Sequence, residues 1–180
     1  MRFPCKSIAV ACCVSAALFE TGLSAAQPEG AAAQCQDKPN LTSIAITMAR
    51  VDYMAGAQPD SVKDDVLMVD FNISVRNGGG ADADRSRLKY AADIQSSGGQ
   101  SVEQADGTMD IYWLAAGEAE DNMATIMVSK LGALAGPAGE ISGQIVFRAA
   151  VDVDGEVDEC DESDNSAEAT IDLKVEKSVM

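Results

Sequence analysis

Val66-Leu67-Met68-Val69-Asp70-Phe71-Asn72-Ile73-Ser74-Val75-Arg76 decides the fold. Leu67, Val69, Phe71, Ile73 and Val75 are all large and apolar, and between them stand Asp70, Asn72, Ser74 and Arg76. A β-strand turns successive side chains to opposite faces, so this stretch offers one face to a core and one to water. A helix would scatter the same residues around its circumference. The run ends at Asn77-Gly78-Gly79-Gly80, read as a turn that needs positive φ.

Outward from this stretch the period of two recurs. Leu41, Ile44, Ile46 and Met48 mark a strand over 41–49, and a polar loop with Pro59 spans 56–65. Downstream, Leu88, Tyr90, Ala92 and Ile94 alternate. After a turn at 96–99, Met109 to Leu114 reads as a short strand with Ile111 and Trp113 on one face. The single tryptophan is thus expected in the core rather than on a ligand platform. Ala124, Ile126 and Val128 give another strand, and 131–139, rich in Gly, Ala and Pro, reads as a loop. Ile141, Gly143, Ile145, Phe147, Ala149, Val151 and Val153 make the longest alternation. An acidic loop fills 154–165, and Ala167, Ala169, Ile171, Leu173 and Val175 close the chain before a tail at 177–180. Seven to eight such strands, with no helical pattern among them, predict an all-β fold. The expected architecture is an antiparallel β-sandwich of the immunoglobulin-like kind. No internal repeat is visible, so residues 39–176 form one domain.

The amino terminus has a different character. Arg2 and Lys6 precede an uncharged, mostly apolar run from Ile8 to Phe19, and Ser24-Ala25-Ala26 places small residues before a cleavage point at Gln27. Residues 1–26 are read as a signal peptide, in preference to a buried helix of the mature fold. A lipoprotein box at Val10-Ala11-Cys12-Cys13 is also weighed, but its apolar stretch is too short for a normal leader. The run is likewise too short to remain as a membrane anchor. A Pro/Gly/Ala-containing linker follows at 27–38. The mature chain is therefore expected in the periplasm or outside the cell, with no transmembrane anchor.

Composition narrows the function. The chain carries 13 basic and 29 acidic residues, a net charge of −16, and loss of Arg2, Lys6 and Glu20 with the leader leaves −17. Such a surface repels nucleic acid and anionic lipid. There is no histidine. That removes Ser-His-Asp and Cys-His nucleophilic pairs and every imidazole metal site. Carboxylate pairs alone remain for hydrolysis, and with aromatics at 4% no sugar-binding cleft is indicated. No enzyme is expected.

Of five cysteines, Cys5, Cys12 and Cys13 belong to the leader, which leaves Cys35 and Cys160. An oxidising compartment pairs two such thiols. In an immunoglobulin-like sandwich the first strand starts at the end where the loop before the last strand lies, so the two can meet.

The acidic loop allows two readings. Asp152, Asp154, Asp158, Glu159, Asp161, Glu162 and Asp164 crowd together with Asn165. In one reading they are a solvated turn whose Asp and Asn side chains bond the backbone. In the other they supply oxygens to a calcium ion, which takes six to eight. The EF-hand spacing is not met, since Gly155 directly follows Asp154. Seven carboxylates with no basic residue among them would be relieved by a cation. Asn165 is expected to fix the turn into the last strand.

Three of these pieces resemble one family. Ile73-Ser-Val-Arg-Asn77-Gly78-Gly79, Leu114-Ala-Ala-Gly117-Glu118, and Val151 to Asn165 with its closing Glu159-x-x-Glu162-x-x-Asn165 resemble, in order, the motifs of the CARDB domain, a bacterial cell-adhesion-related module. The resemblance covers roughly 39–176. It implies a seven-stranded sandwich found in exported bacterial and archaeal proteins, without catalytic residues and used as an accessory module. The chain departs from the pattern in standing alone and in long loops at 54–65 and 131–139. The expected function is a non-catalytic exported module that binds a protein or cell-envelope partner. The alternative is a calcium-binding structural protein of the envelope.

Overall fold

A computed structural model of the protein describes residues 35–54, 65–136 and 140–175. The leader, residues 27–34 of the linker, the Pro59 segment, residues 137–139 and the tail lie outside these, as do the side chains of Ser43 and Ile44. The described residues form seven strands: β1 (Leu41–Met54), β2 (Val66–Asn77), β3 (Ser86–Ser96), β4 (Ser101–Ile111), β5 (Ala119–Val128), β6 (Ile141–Ala150) and β7 (Ser166–Val175). They form a three-stranded sheet, β1-β2-β5, and a four-stranded sheet, β4-β3-β6-β7, in which every pairing is antiparallel. This is the immunoglobulin-like all-β sandwich that the alternation predicts. Among the described residues the only helical element is a 3-10 turn at Leu131–Ala133, inside the segment read as a loop. No helix there is long and apolar enough to cross a membrane.

β2 sits in the middle of its sheet, and Leu67, Val69, Phe71, Ile73 and Val75 are all fully buried. Phe71 meets Phe147 of β6 across the sandwich at a ring-centroid distance of 4.3 Å, and Tyr90 stacks near Phe147 at 5.8 Å. The rest of the core is aliphatic. Each such side chain contributes about 1.5–3 kcal/mol by leaving water, so the five of β2 supply a large share of what joins the two sheets.

The structure departs from the sequence reading where alternation fails. β1 runs to Met54, not Ala49, because its pairing with β2 slips between Ser43 and Ala45 and again between Met48 and Arg50. Each slip moves the buried phase by one residue, so Val51 and Tyr53 continue the face that Ile46 and Met48 began. β4 occupies Ser101–Ile111 rather than 109–114. The turn before it is tight, with Gly99 at φ 77°, so pairing with β3 starts at once. β4 is an edge strand of the larger sheet, and of its residues only Ile111 is fully covered. A strand so little buried carries few apolar residues and leaves no period to read. β6 stops at Ala150, and Asp152 at φ 50° turns the chain away. Val153, expected on the buried face, is 41% exposed.

Candidate functional site

The ends of β2, β4 and β6 and the starts of β1, β3, β5 and β7 all lie at one end of the sandwich. Four connecting segments meet there: 35–40, 78–85, 112–118 and 151–165. Cys35 and Cys160 are joined by a disulfide, with their Cα atoms 5.4 Å apart. The Cys160 N–H also donates to the Pro39 carbonyl at 3.1 Å, and Gly80 N–H donates to the Cys35 carbonyl at 2.7 Å. The last residues of the segment read as a linker thus lie against the glycine run. A Cβ at Gly79 would run into the Lys38 carbonyl, and one at Gly80 into that of Gln36. Neither residue takes positive φ. These positions need glycine for a close backbone approach, which corrects the expectation of a left-handed turn.

Asn77 is the anchor of this end. It is fully buried, and its amide oxygen accepts from the N–H groups of Asn40 and Gly79, each at 3.1 Å. Its amide nitrogen donates to the carbonyls of Ala81 at 2.8 Å and Leu114 at 3.0 Å. One side chain therefore bonds four backbone groups from three segments, of which the Leu114 carbonyl also accepts from the Ala83 N–H.

The acidic loop divides into two sets. Asp152, Glu159 and Glu162 converge, with one carboxylate oxygen of each within 4.8 Å of the others. Asp152 accepts from the N–H groups of Glu156 (3.0 Å) and Val157 (3.2 Å). Glu159 accepts from the Leu41 N–H at the start of β1 and from the Asn165 amide at 3.1 Å, and Glu162 accepts from the Glu159 N–H at 3.2 Å. The other four are engaged elsewhere. Asp154 pairs with Arg87 at 2.8 Å and Asp158 with Lys38 at 2.7 Å. Asp161 holds the N–H and hydroxyl of Ser163, and Asp164 holds the Asn40 amide at 3.1 Å. The loop has no basic residue in sequence, but Arg87 of β3 and Lys38 reach it through space, a relief that its own composition does not reveal. Asn165 accepts the Val151 N–H through its carbonyl at 2.8 Å and leads directly into β7.

Burial pushes the Glu159 carboxyl up to about 7. The Leu41 N–H pulls it back, Asp152 and Glu162 add repulsion, and the Asn165 amide opposes them. Burial also raises Asp164, whereas the hydrogen bonds from Ser163 lower Asp161. Asp152 and Glu159 are each only 5% exposed. Two carboxylates so buried beside a third are costly as anions unless a positive charge or a proton joins them.

Trp113 is not in the core. It lies past the end of β4 and is 57% exposed, and its neighbour Tyr112 is 66% exposed. The residue that enters the core is Leu114, whose N–H and carbonyl pair with Ala83. Alternation puts Trp113 in phase with Ile111, but the chain leaves the sheet between them. Lys38, Asn40 and Arg87 carry no local signal for their roles here, because each acts on a residue at least 67 positions away in sequence.

No characterised protein matches the sequence. Among solved structures the chain is similar to the CARDB domain of a Pyrococcus furiosus protein in complex with di-metal ions. That match has 14% identity over 74% of this chain and 87% of that one, with TM-score 0.40. It is also similar to the putative ApaA protein from Bordetella pertussis (11% identity, 80% of this chain and 98% of that one, TM-score 0.38) and to a β-glucosidase from Erythrobacter marinus (19% identity, TM-score 0.37). The last match takes in 72% of this chain but only 15% of the enzyme. The CARDB family model matches residues 57–169, well over half of the sequence and from before β2 into β7. The chain belongs to the CARDB family.

Proposed function

We propose that this domain is an exported, non-catalytic module whose loop-bearing end engages a protein or cell-envelope partner. The observation that carries the reading is the exposure of Tyr112 and Trp113 on an end held by a disulfide and by Asn77. Large exposed aromatics on a rigid frame are the usual anchors of an interface, because they bury much area while losing little side-chain entropy. The test is photo-cross-linking in the native host, with p-benzoylphenylalanine replacing Trp113 and, as control, Thr170 on the outer face of β7. A discrete protein or envelope species captured from position 113 and not from 170 is expected. No capture from either position overturns the reading.

A second reading concerns the converged carboxylates. A calcium ion at Asp152, Glu159 and Glu162 would neutralise two buried anions and tie the acidic loop to the start of β1. Supporting it, Asp164 Oδ1 and Asn165 Oδ1 are buried without a donor among the described residues. Millimolar calcium should then raise the melting temperature, since a ligand at 100 times its Kd stabilises the folded state by about 2.7 kcal/mol. Asp152→Asn with Glu162→Gln should abolish the rise, and Asp158→Asn, which removes only the Lys38 partner, should keep it. An unchanged melting temperature in the parent protein returns the loop to a hydrogen-bonded turn.

A further inference from the structure

The surface around Trp113 also carries a charge pattern. Arg85 is bonded to Asp110 at 2.8 Å, two residues before Tyr112 in the chain. Val153 joins them through its N–H bond to the Arg87 carbonyl at 3.3 Å. Tyr112, Trp113 and Val153 are thus exposed apolar side chains of segments at the end of the sandwich where β3 starts. Of the cations at this end, Arg85, Arg87 and Lys38 are each matched by a carboxylate at 2.7–2.8 Å, and Arg76 and Lys89 are exposed outside those ion pairs. Asp82, Asp84, Glu118 and Glu156 are exposed and form no close ion pair among the described residues.

We infer that this end docks a basic protein segment that presents an apolar side chain to Tyr112 and Trp113, an inference that rests on the module reading above. The aromatics supply the anchor and the unmatched carboxylates select the charge of what lies on it. The same charges disfavour the other occupants. Nucleic acid and anionic membrane are repelled, and so is a second copy of a chain whose net charge is −16.

Trp113 is the only tryptophan, so its emission reports directly on this surface. The probes are short capped peptides: one of lysines around a central leucine, its glutamate counterpart, and the lysine peptide with serine in place of leucine. Phosphatidylcholine vesicles and a neutral oligosaccharide complete the series. Only the lysine–leucine peptide should shift the emission to the blue. Its affinity should fall at least about ten-fold as ionic strength rises from about 10 mM to about 1 M, where the Debye length shrinks from ~30 Å to ~3 Å. Tyr112→Ala and Glu118→Gln with Glu156→Gln should each weaken it about five-fold, with circular dichroism unchanged because these side chains are exposed. No shift with that peptide overturns the inference. So does an equal shift with the serine or glutamate peptide, or a shift with vesicles or oligosaccharide instead. If cross-linking from position 113 captures a partner while the lysine–leucine peptide fails, the module reading stands and the basic partner falls. If both fail, both readings fall.

Discussion

Replacing Cys35 and Cys160 by serine should cost the domain most of the stability that a cross-link can supply. The bridge spans 125 residues of sequence and closes nearly the whole sandwich into one loop. For a loop of that length the chain-entropy relation gives about 5 kcal/mol at 25 °C. A compact denatured state lowers that figure, so about 3–5 kcal/mol is expected. Little is lost from the folded state itself, because Gly80 still binds the Cys35 carbonyl and Asn77 still holds Asn40. The effect should therefore lie mostly in the unfolded chain. Urea denaturation followed by circular dichroism tests this, since exposed Trp113 makes fluorescence a poor probe of unfolding. The double serine variant should unfold at lower urea with a larger m-value, because an unbridged chain exposes more surface when it opens. Its melting temperature should fall by roughly 10–20 °C. A loss below about 1 kcal/mol with an unchanged m-value would refute the loop-closure argument.

Asn77→Ala should cost at least about 3 kcal/mol in the same assay, because it strands the Asn40 and Gly79 N–H groups and the Ala81 carbonyl; a loss near zero would mean that water replaces the amide. Gly80→Ala should cost about 1–3 kcal/mol by forcing the Gln36 carbonyl away. Gly78→Ala, whose nearest neighbour is 3.9 Å off, should be nearly neutral, and equal effects would sink the close-approach account. With calcium chelated, the Glu159 carboxyl binds a proton in the folded state up to about pH 7 but only up to 4.5 when unfolded. Its contribution is complete below pH 4.5 and is lost as pH rises through about 7, on the order of 3 kcal/mol in all. Glu159→Gln should remove that slope relative to the parent, and parallel stability curves for the two proteins would contradict it.

Much of the fold was legible because its cause is local. The alternation over Val66–Arg76 already separates a core face from a wet face, and β2, β3, β6 and β7 follow from the same period of two. Where burial is partial or register slips, the period vanishes. β4 at the edge and the bulged end of β1 therefore lie outside what alternation predicts, and so does the exposure of Trp113 just past β4. The pairing of Cys35 with Cys160 followed from there being two cysteines in a sandwich read as exported, whereas the grouping of the acidic loop did not follow from its composition. Seven carboxylates look alike in sequence. Which three converge depends on where Arg87, Lys38, Asn40 and Ser163 draw the others. The sequence by itself determined the class of fold, the acidic surface and the lack of histidine, because these depend on local pattern and composition. Only the tertiary structure decided what Asn77 holds, why Gly79 and Gly80 must lack a side chain, and that Tyr112 and Trp113 face solvent, because those depend on segments far apart in the chain being pressed against one another.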